Sequence, residues 1–470
     1  MPWKIPSLDV RSLHLFRPVM NLHSLLHDRA AAGRPVRAGL IGAGKFGTTF
    51  LAQARTTPGL HVLGVADLDP QRGRDALAAT GWSGDASGAP SFARALEMGT
   101  THVTDDSMGL IAADGLEVVI DATGNPSAGV AFARACIREG RHLVMVNVEA
   151  DVLAGPLLAR EFARSGLVCT AAYGDQPALI CELVDWARAC GFEVVAAGKG
   201  AKYLPEYHAS TPDTVWGYYG FTPERAAAAG MNPKMFNSFL DGTKSSIEMT
   251  AVANATGLTA PPEGLAFPPA GAGELARVVC PRPDGGVLHH KGQVEVVSSL
   301  RRDGTPVPNH LRWGVYVVVE APSDYTARCF GEYGLSTDPS GRYGAVYRPH
   351  HLVGLELNIS VLNAALRGEG TGAATGFRAD TVAVAKRDLR AGDLLDGEGG
   401  RTVWGRIMPA ADSLARQALP IGLAHDVRLT RSVGSGEVVT RDAVALDESD
   451  PTVRIRREME RMFASNPEGG

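Results

Sequence analysis

Short apolar runs alternate with amphipathic stretches over the first third of the chain. Residues 36–41, 61–66, 116–121 and 142–148 are dense in Val, Ile, Leu and Ala and are bounded by turn residues. Such runs read as strands buried on both faces. Between them, residues 46–55, 71–80, 126–140 and 157–165 carry helical character, and Pro126 stands where a first turn tolerates proline. A further strand is expected over 167–172. This alternation predicts an α/β fold with a doubly wound parallel sheet, whose ligands lie beyond the carboxyl ends of the strands.

The first strand runs directly into Gly42-Ala-Gly44-Lys45-Phe46-Gly47, and the second ends on Asp67, 20 residues beyond Gly47. In a chain with 55 glycines the spacing alone is weak, and the flanking strand and helix give it meaning. Gly42 permits a tight turn, Gly44 lets a pyrophosphate approach the backbone, and Gly47 allows close packing of helix on strand. The helix start, with Lys45 and Phe46, offers free N–H groups to phosphates. The pattern predicts a Rossmann domain binding a nicotinamide dinucleotide. Asp67 suits the ribose hydroxyls of NAD, whereas Arg72 and Arg74 could accommodate the 2′-phosphate of NADP. Thr123, Gly124, Asn125, Asn147 and Glu149 fall at strand ends and are candidates for contacts to ribose and nicotinamide.

From Pro177 the pattern changes. A helix over 178–190 and a strand over 192–197 lead into a polar, aromatic passage at 198–213. A helix near 243–255 follows, then a Pro- and Gly-rich stretch over 257–290 that reads as a long surface excursion. Strands are expected over 291–300 and 313–320, and a mixed strand–helix segment over 346–366. This region reads as an α+β substrate and dimerisation domain. Beyond Gly372 a strand-like segment turns at Gly392, and its cadence of glycine, acid and two apolar residues recurs at 434–444, as in a small β-rich module. The charged segment 454–461 reads as a solvated helix face. The expected partition is 1–19 as an extension, 20–176, 177–376, 377–448, and a charged tail 449–470.

At 470 residues the chain is too long for a single core. Its 45% hydrophobic and 21% charged content is ordinary for a soluble protein. A net charge of −5 gives no reason to expect nucleic acid or an anionic membrane as partner. No apolar run is long enough to span a bilayer. Six cysteines without metal-type spacing point to reduced thiols and a cytoplasmic setting. Residues 1–19 lack the features of a signal peptide, and Met20 is a plausible second start.

A dehydrogenase must hold a carbonyl against the nicotinamide, exchange a proton at its oxygen and anchor any anionic group. Lys199, Lys202, Glu206, Tyr207, His208 and Asp213 supply suitable groups, as does the run 241–248. Thr243 and Ser245 at a helix start suit a phosphate or carboxylate. Lys244 and Glu248 stand one turn apart, in the order less favourable for a solvated pair, which points to a cleft. Lys199 lies between two glycines that allow close backbone approach. Glu206, His208 and Asp213 could bind a divalent cation, although their spacing matches no established motif. No nucleophile elbow, Walker loop or catalytic Cys–His signature is present.

Together these segments resemble the reductoisomerase-like branch related to homoserine dehydrogenases, typified by the type II, or DXR-like, 1-deoxy-D-xylulose 5-phosphate reductoisomerase. The resemblance runs from Met20 to about Asp447 and is carried by residues 39–47, 65–70, 207–212, 241–249 and 348–354 and by a SAF-like end. It implies an NADPH-linked rearrangement and reduction of a small anionic polyhydroxy substrate. The product would be 2-C-methyl-D-erythritol 4-phosphate, an isoprenoid precursor. It also implies a divalent cation (Mg or Mn) and a homodimer. Lys199 and Lys244 would steady the enediolate-like charge and anchor the phosphate, with Glu248 and Lys202 beside them. Two other readings fit the residues: a homoserine, sugar or sugar-acid dehydrogenase without rearrangement, and a non-catalytic cofactor-sensing or carbohydrate-binding protein.

Overall fold

The structure, a computed structural model, describes residues 21–464. The expected extension 1–19, the start at Met20 and the last six residues of the tail lie outside the described residues.

The N-terminal sheet is six-stranded and parallel, in the order β3-β2-β1-β4-β5-β6. The strands are β1 (Val36–Ile41), β2 (Leu60–Ala66), β3 (His102–Thr104), β4 (Val118–Asp121), β5 (His142–Met145) and β6 (Cys169–Ala171). Chain direction across the sheet reverses between β1 and β4, which opens a crevice at their carboxyl ends. Alternation along β1 sends Val36, Ala38 and Leu40 to one face, where Phe50, Leu51 and, from far along the chain, Leu357, Val361 and Leu362 complete the core. Ile41 points to the other face, with Val119 and Leu143.

The second sheet has the order β10-β11-β9-β7-β8. Its strands are β7 (Glu193–Ala201), β8 (Gln293–Ser298), β9 (Val315–Glu320), β10 (Ser336–Thr337) and β11 (Tyr343–Arg348). One face carries Val194, Val296, Val315 and Val317 against the helices Gln176–Ala189 and Thr243–Thr256. The other is covered by the Pro- and Gly-rich segment expected to be a surface excursion. Ala270, Leu275, Val279, Cys280 and Leu288 of that segment are buried against Val195, Tyr316 and Val318. Its few apolar residues supply a core layer without regular periodicity, so no pattern marked it.

The C-terminal module pairs β12 (Ala379–Ala385) with β14 (Val403–Pro409), and β13 (Leu394–Asp396) with β15 (His425–Arg428), both antiparallel. It shares one core with Val148, Val152 and Leu153 of the helix Val148–Arg164 and with Ile247 and Ala251 of the helix Thr243–Thr256. All three parts of the chain therefore meet along these two helices.

The tail departs from its expected solvated role. The helix Pro451–Ala464 lays Ile455, Met459 and Phe463 into the core of the first sheet. On its neighbouring row Arg456 is 1% exposed and bonds Asp380 of β12 at 2.6 Å, Glu460 at 2.6 Å and the Leu153 carbonyl at 3.3 Å. Arg456 and Glu460 are thus internal connections, while Arg454, Glu458 and Arg461 keep the solvated face. All six cysteines are free, and no helix among the described residues is long and apolar enough to cross a membrane.

Candidate active site where three parts of the chain meet

The glycine loop after β1 is shaped by close approaches. Gly42 has φ +98°, and a Cβ there would stand 2.7 Å from the Ala122 carbonyl oxygen. A Cβ on Gly47 would meet the Gly42 oxygen at 2.3 Å. At Gly44 a Cβ would meet nothing within 4 Å, and the helix Lys45–Ala54 that Gly44 starts has no side-chain cap. The loop thus presents an open, uncapped helix end of the kind that receives phosphates. Lys45 is exposed beside it, while Phe46 is half-buried and packs into the core. Asp67, 8% exposed, accepts from the Ala43 N–H at 2.8 Å and the Asp69 N–H at 3.1 Å. The exposed Arg72 guanidinium lies 3.9 Å from the same carboxylate.

At the next strand ends the expected contacts divide. Thr123, Gly124 and Asn125 are exposed on the crevice side. Asn147 is fully buried, and its amide donates to Asp121 at 3.0 Å, to the Thr123 hydroxyl at 3.2 Å and to the Asn125 carbonyl at 2.7 Å. It locks the ends of β4 and β5 together and is not open to a ligand. The hub of that lock is Asp121, which the sequence reading passed over. It also accepts from the Thr123 N–H and hydroxyl. Burial pushes its carboxyl above the ordinary range, against these hydrogen bonds.

Beyond these strand ends sits a cluster of charges drawn from all three parts of the chain. Lys244, in the first turn of the helix Thr243–Thr256, donates to Glu149 at 2.5 Å, in the first turn of the helix Val148–Arg164. Glu398 lines the same cleft as Glu149 and, with Glu248 and Asp175, completes four carboxyls around the Lys244 ammonium. Burial opposes the charge on Lys244, but the four carboxyls outweigh it and hold the ammonium protonated well above its ordinary range. Glu398 moves the other way: burial, then the charge of Glu149, pushes its carboxyl up to about 8. Asp175, which caps the helix Gln176–Ala189, is raised by burial and by Glu248.

Lys199 and Glu248 form a closed ion pair with side chains 8% and 5% exposed. The glycines beside Lys199 are needed by the protein's own backbone. A Cβ on Gly198 would overlap the Glu295 oxygen at 1.7 Å, and one on Gly200 the Leu311 oxygen at 1.9 Å. Lys386 of the C-terminal module closes a second buried pair with Asp241 at 2.7 Å. Asp175, Lys386, Glu398 and His425, another residue of the cleft, had no local signal in the sequence. They stand on separate elements and only the fold brings them together.

Several expected site residues lie elsewhere. Lys202 turns away, donating to the Tyr218 carbonyl and standing 5.3 Å over the Tyr219 ring. Thr243 is fully buried, its hydroxyl accepting from the Gly405 N–H at 2.8 Å, and Ser245 is 2% exposed, so the helix start they share faces the C-terminal module and not a ligand. His208 has both ring nitrogens occupied. Nδ1 donates to the Asp241 carbonyl at 2.7 Å, which leaves Nε2 to accept from the Tyr203 hydroxyl at 2.9 Å. Its ring stacks on Trp404, with centroids 3.8 Å apart. Asp213 is exposed and held by both arms of Arg401 at 2.8 Å, and Glu206 is exposed. The trio Glu206, His208 and Asp213 therefore does not assemble. Among the described residues no group of three or more His, Cys, Asp or Glu side chains could hold a metal ion.

Residues 174–357 match the family model described as oxidoreductase DRL, catalytic domain. The matched segment contains Asp175, Lys199, Lys244 and Glu248. No curated protein matches the chain. Among solved structures, a probable dehydrogenase from Thermotoga maritima aligns at 13% identity and a TM-score of 0.36, over 71% of this chain and 90% of that one. An NAD binding oxidoreductase from Klebsiella pneumoniae aligns at 18% identity and a TM-score of 0.27, over 38% of this chain and 45% of that one. A myo-inositol dehydrogenase from Lactobacillus casei, solved with NAD(H) and myo-inositol, aligns at 12% identity and a TM-score of 0.25, over 38% and 50%. The last two alignments span no more than half of those proteins' lengths. A Rossmann sheet thus stands beside a central segment, residues 174–357, that is similar to the catalytic domain of an oxidoreductase family.

Proposed function

We propose that the chain is an NADP-dependent reductase of a small, anionic, polyhydroxy carbonyl compound. The observation that carries this reading is Lys244, held permanently protonated by Glu149, Glu398, Glu248 and Asp175 next to the end of β5. The uncapped helix end behind Gly44 would take the pyrophosphate, with Gly42 and Gly47 keeping the approach open. Asp67 would hold the adenosine ribose, and Arg72, exposed and beside it, would neutralise a 2′-phosphate. Thr123, Gly124 and Asn125 would face the nicotinamide ribose. A bound nicotinamide supplies the hydride.

The remaining chemistry falls to the charge cluster. A lysine that stays protonated cannot act as a general base. It serves as a fixed hydrogen-bond donor and positive charge at a carbonyl oxygen as that oxygen gains charge. Glu149 fixes the direction of its Nζ. Glu398, largely protonated at neutral pH, can then deliver the proton that the alkoxide needs. The carboxyls present do not fit a divalent cation, since Glu149 and Glu248 are already paired with lysines and no ligand cluster forms among the described residues.

The finer proposal takes 1-deoxy-D-xylulose 5-phosphate as substrate, supported by the motif resemblance at residues 207–212, 241–249 and 348–354. A dehydrogenase acting without rearrangement fits the same cluster, because Lys244 can polarise a carbonyl in either reaction. The deciding experiment is NADPH oxidation by the purified chain with that substrate, with NMR identification of the product. Formation of 2-C-methyl-D-erythritol 4-phosphate supports the rearrangement. Turnover only of homoserine or sugar-acid substrates, tested in the reverse direction with NADP, removes it and leaves the reductase reading in place.

A further inference from the structure

We propose that Arg406 and Arg416, in the C-terminal module, form a binding site for a phosphate group, free or as a monoester. The two residues line an open concavity of about 540 Å³ together with Gly436, Glu437, Val438 and Thr440. Arg406 extends from β14, and Arg416 follows the short helix Ala410–Ala415.

The two guanidiniums have no counter-charge. Nearby, by contrast, Arg401 pairs with Asp213, Arg431 with Asp442 and Arg441 with Glu460. Neither Arg406 nor Arg416 has an ion pair or side-chain hydrogen bond among the described residues. The one charged neighbour that acts on Arg406 is Arg416, which together with burial draws its guanidinium below the ordinary value. Glu437, the acid in the lining, is exposed and accepts from the Gly434 N–H at 2.8 Å. Thr440 is engaged with Arg431 and Asp442.

Arg406 is also held in place. Its stem lies over Gly264, where a Cβ would meet its Cγ at 3.1 Å and Cδ at 3.3 Å. A half-buried guanidinium is thus fixed beside a second one, so like charges are gathered and left unrelieved. A dianion relieves both, and planar N–H forks match phosphate oxygens better than a point charge does. A phosphate carries up to two negative charges near neutral pH, so it is favoured over a monocarboxylate. The concavity lies within the size range of small-molecule sites. It is built from a different part of the chain than the dinucleotide loop, and the inference does not depend on the substrate.

The test is calorimetric titration of the full chain with inorganic phosphate and with glycerol 3-phosphate, in chloride buffer of matched ionic strength. It uses wild type, Arg406→Gln, Arg416→Gln and, as a control outside the concavity, Arg390→Gln, an exposed arginine of the same module. Binding of either probe is expected in wild type and in Arg390→Gln, with at least tenfold weaker binding in the Arg406 and Arg416 variants. Arg416 is exposed, so its substitution provides the readout even where Arg406→Gln fails to fold. Absence of binding by both probes in wild type, or equal affinity in wild type and Arg416→Gln, overturns the proposal.

Discussion

Lys244 Nζ donates to Glu149 Oε1 at 2.5 Å, tying the first turn of the helix Thr243–Thr256 to the first turn of the helix Val148–Arg164. The contact fixes a nearly buried ammonium and leaves the two residues with separable roles. Lys244→Met removes the donor, and kcat is expected to fall by about 10²- to 10⁴-fold with the far-UV spectrum unchanged. Glu149→Gln keeps the donor but loosens its aim, so a smaller loss is expected. Steady-state kinetics on the chain's best carbonyl substrate decide this. An unchanged kcat in Lys244→Met removes the lysine from the chemistry.

The raised carboxyl of Glu398 gives a pH signature. Burial and Glu149 push it up to about 8, so the folded chain keeps a proton that the unfolded chain releases near the ordinary carboxylate value. The stability it contributes is full at acid pH and is lost as pH rises through about 8. Carbonyl reduction, which uses the protonated form, is expected to slow over the same limb. Glu295, raised to about 7, and Asp151, raised to about 6, slope in the same direction at lower pH. The comparison is therefore made above about pH 7. Glu398→Gln should flatten both the melting-temperature curve and the kcat profile there, and superimposable profiles would assign the limb to another group.

Cofactor preference turns on Arg72, 3.9 Å from Asp67. Arg72→Ala is expected to raise KM for NADPH about tenfold while leaving that for NADH within twofold, since only the former carries the 2′-phosphate. Equal effects on both would assign the arginine a role unrelated to that phosphate.

Arg456 joins the tail helix to Asp380 and Glu460 in a fully buried arrangement. Removing Arg456 leaves the buried Asp380 carboxylate without a counter-charge, while Glu460 keeps Arg441, so Arg456→Met should lower unfolding free energy by about 3 kcal/mol. Urea denaturation reads this directly. A loss below about 1 kcal/mol would mean that the acids find water or take up protons without cost.

The features that could be read in the sequence are those carried by local grammar. The glycine spacing of Gly42, Gly44 and Gly47 places its own loop, because Gly42 and Gly47 answer contacts beyond the adjoining strand and within the loop itself, while Gly44 leaves the helix end open. The helix Val148–Arg164 shows where that grammar misleads. Pro156 lies inside it, and the expected helix began after that proline. The early half survives because its apolar face is buried by the C-terminal module and the tail helix. The tail itself was hidden by its charges. Arginine and glutamate on successive turns look solvated until Asp380, more than 70 residues earlier, is brought against them. In the site, Lys244 was marked by its neighbours in the chain. Glu398 was not, since a carboxyl's displaced titration arises from burial in the folded chain and from Glu149, and neither is written near position 398.

The docking of Ile455, Met459 and Phe463 beneath the first sheet sets the order in which the chain can mature. A nascent polypeptide that has reached only the end of the first sheet has an apolar trough along the helix Val148–Arg164, and the residues that seal it are made roughly three hundred positions later. Until those residues are made, the trough is exposed apolar surface of the kind that leaves a partly folded chain prone to aggregate.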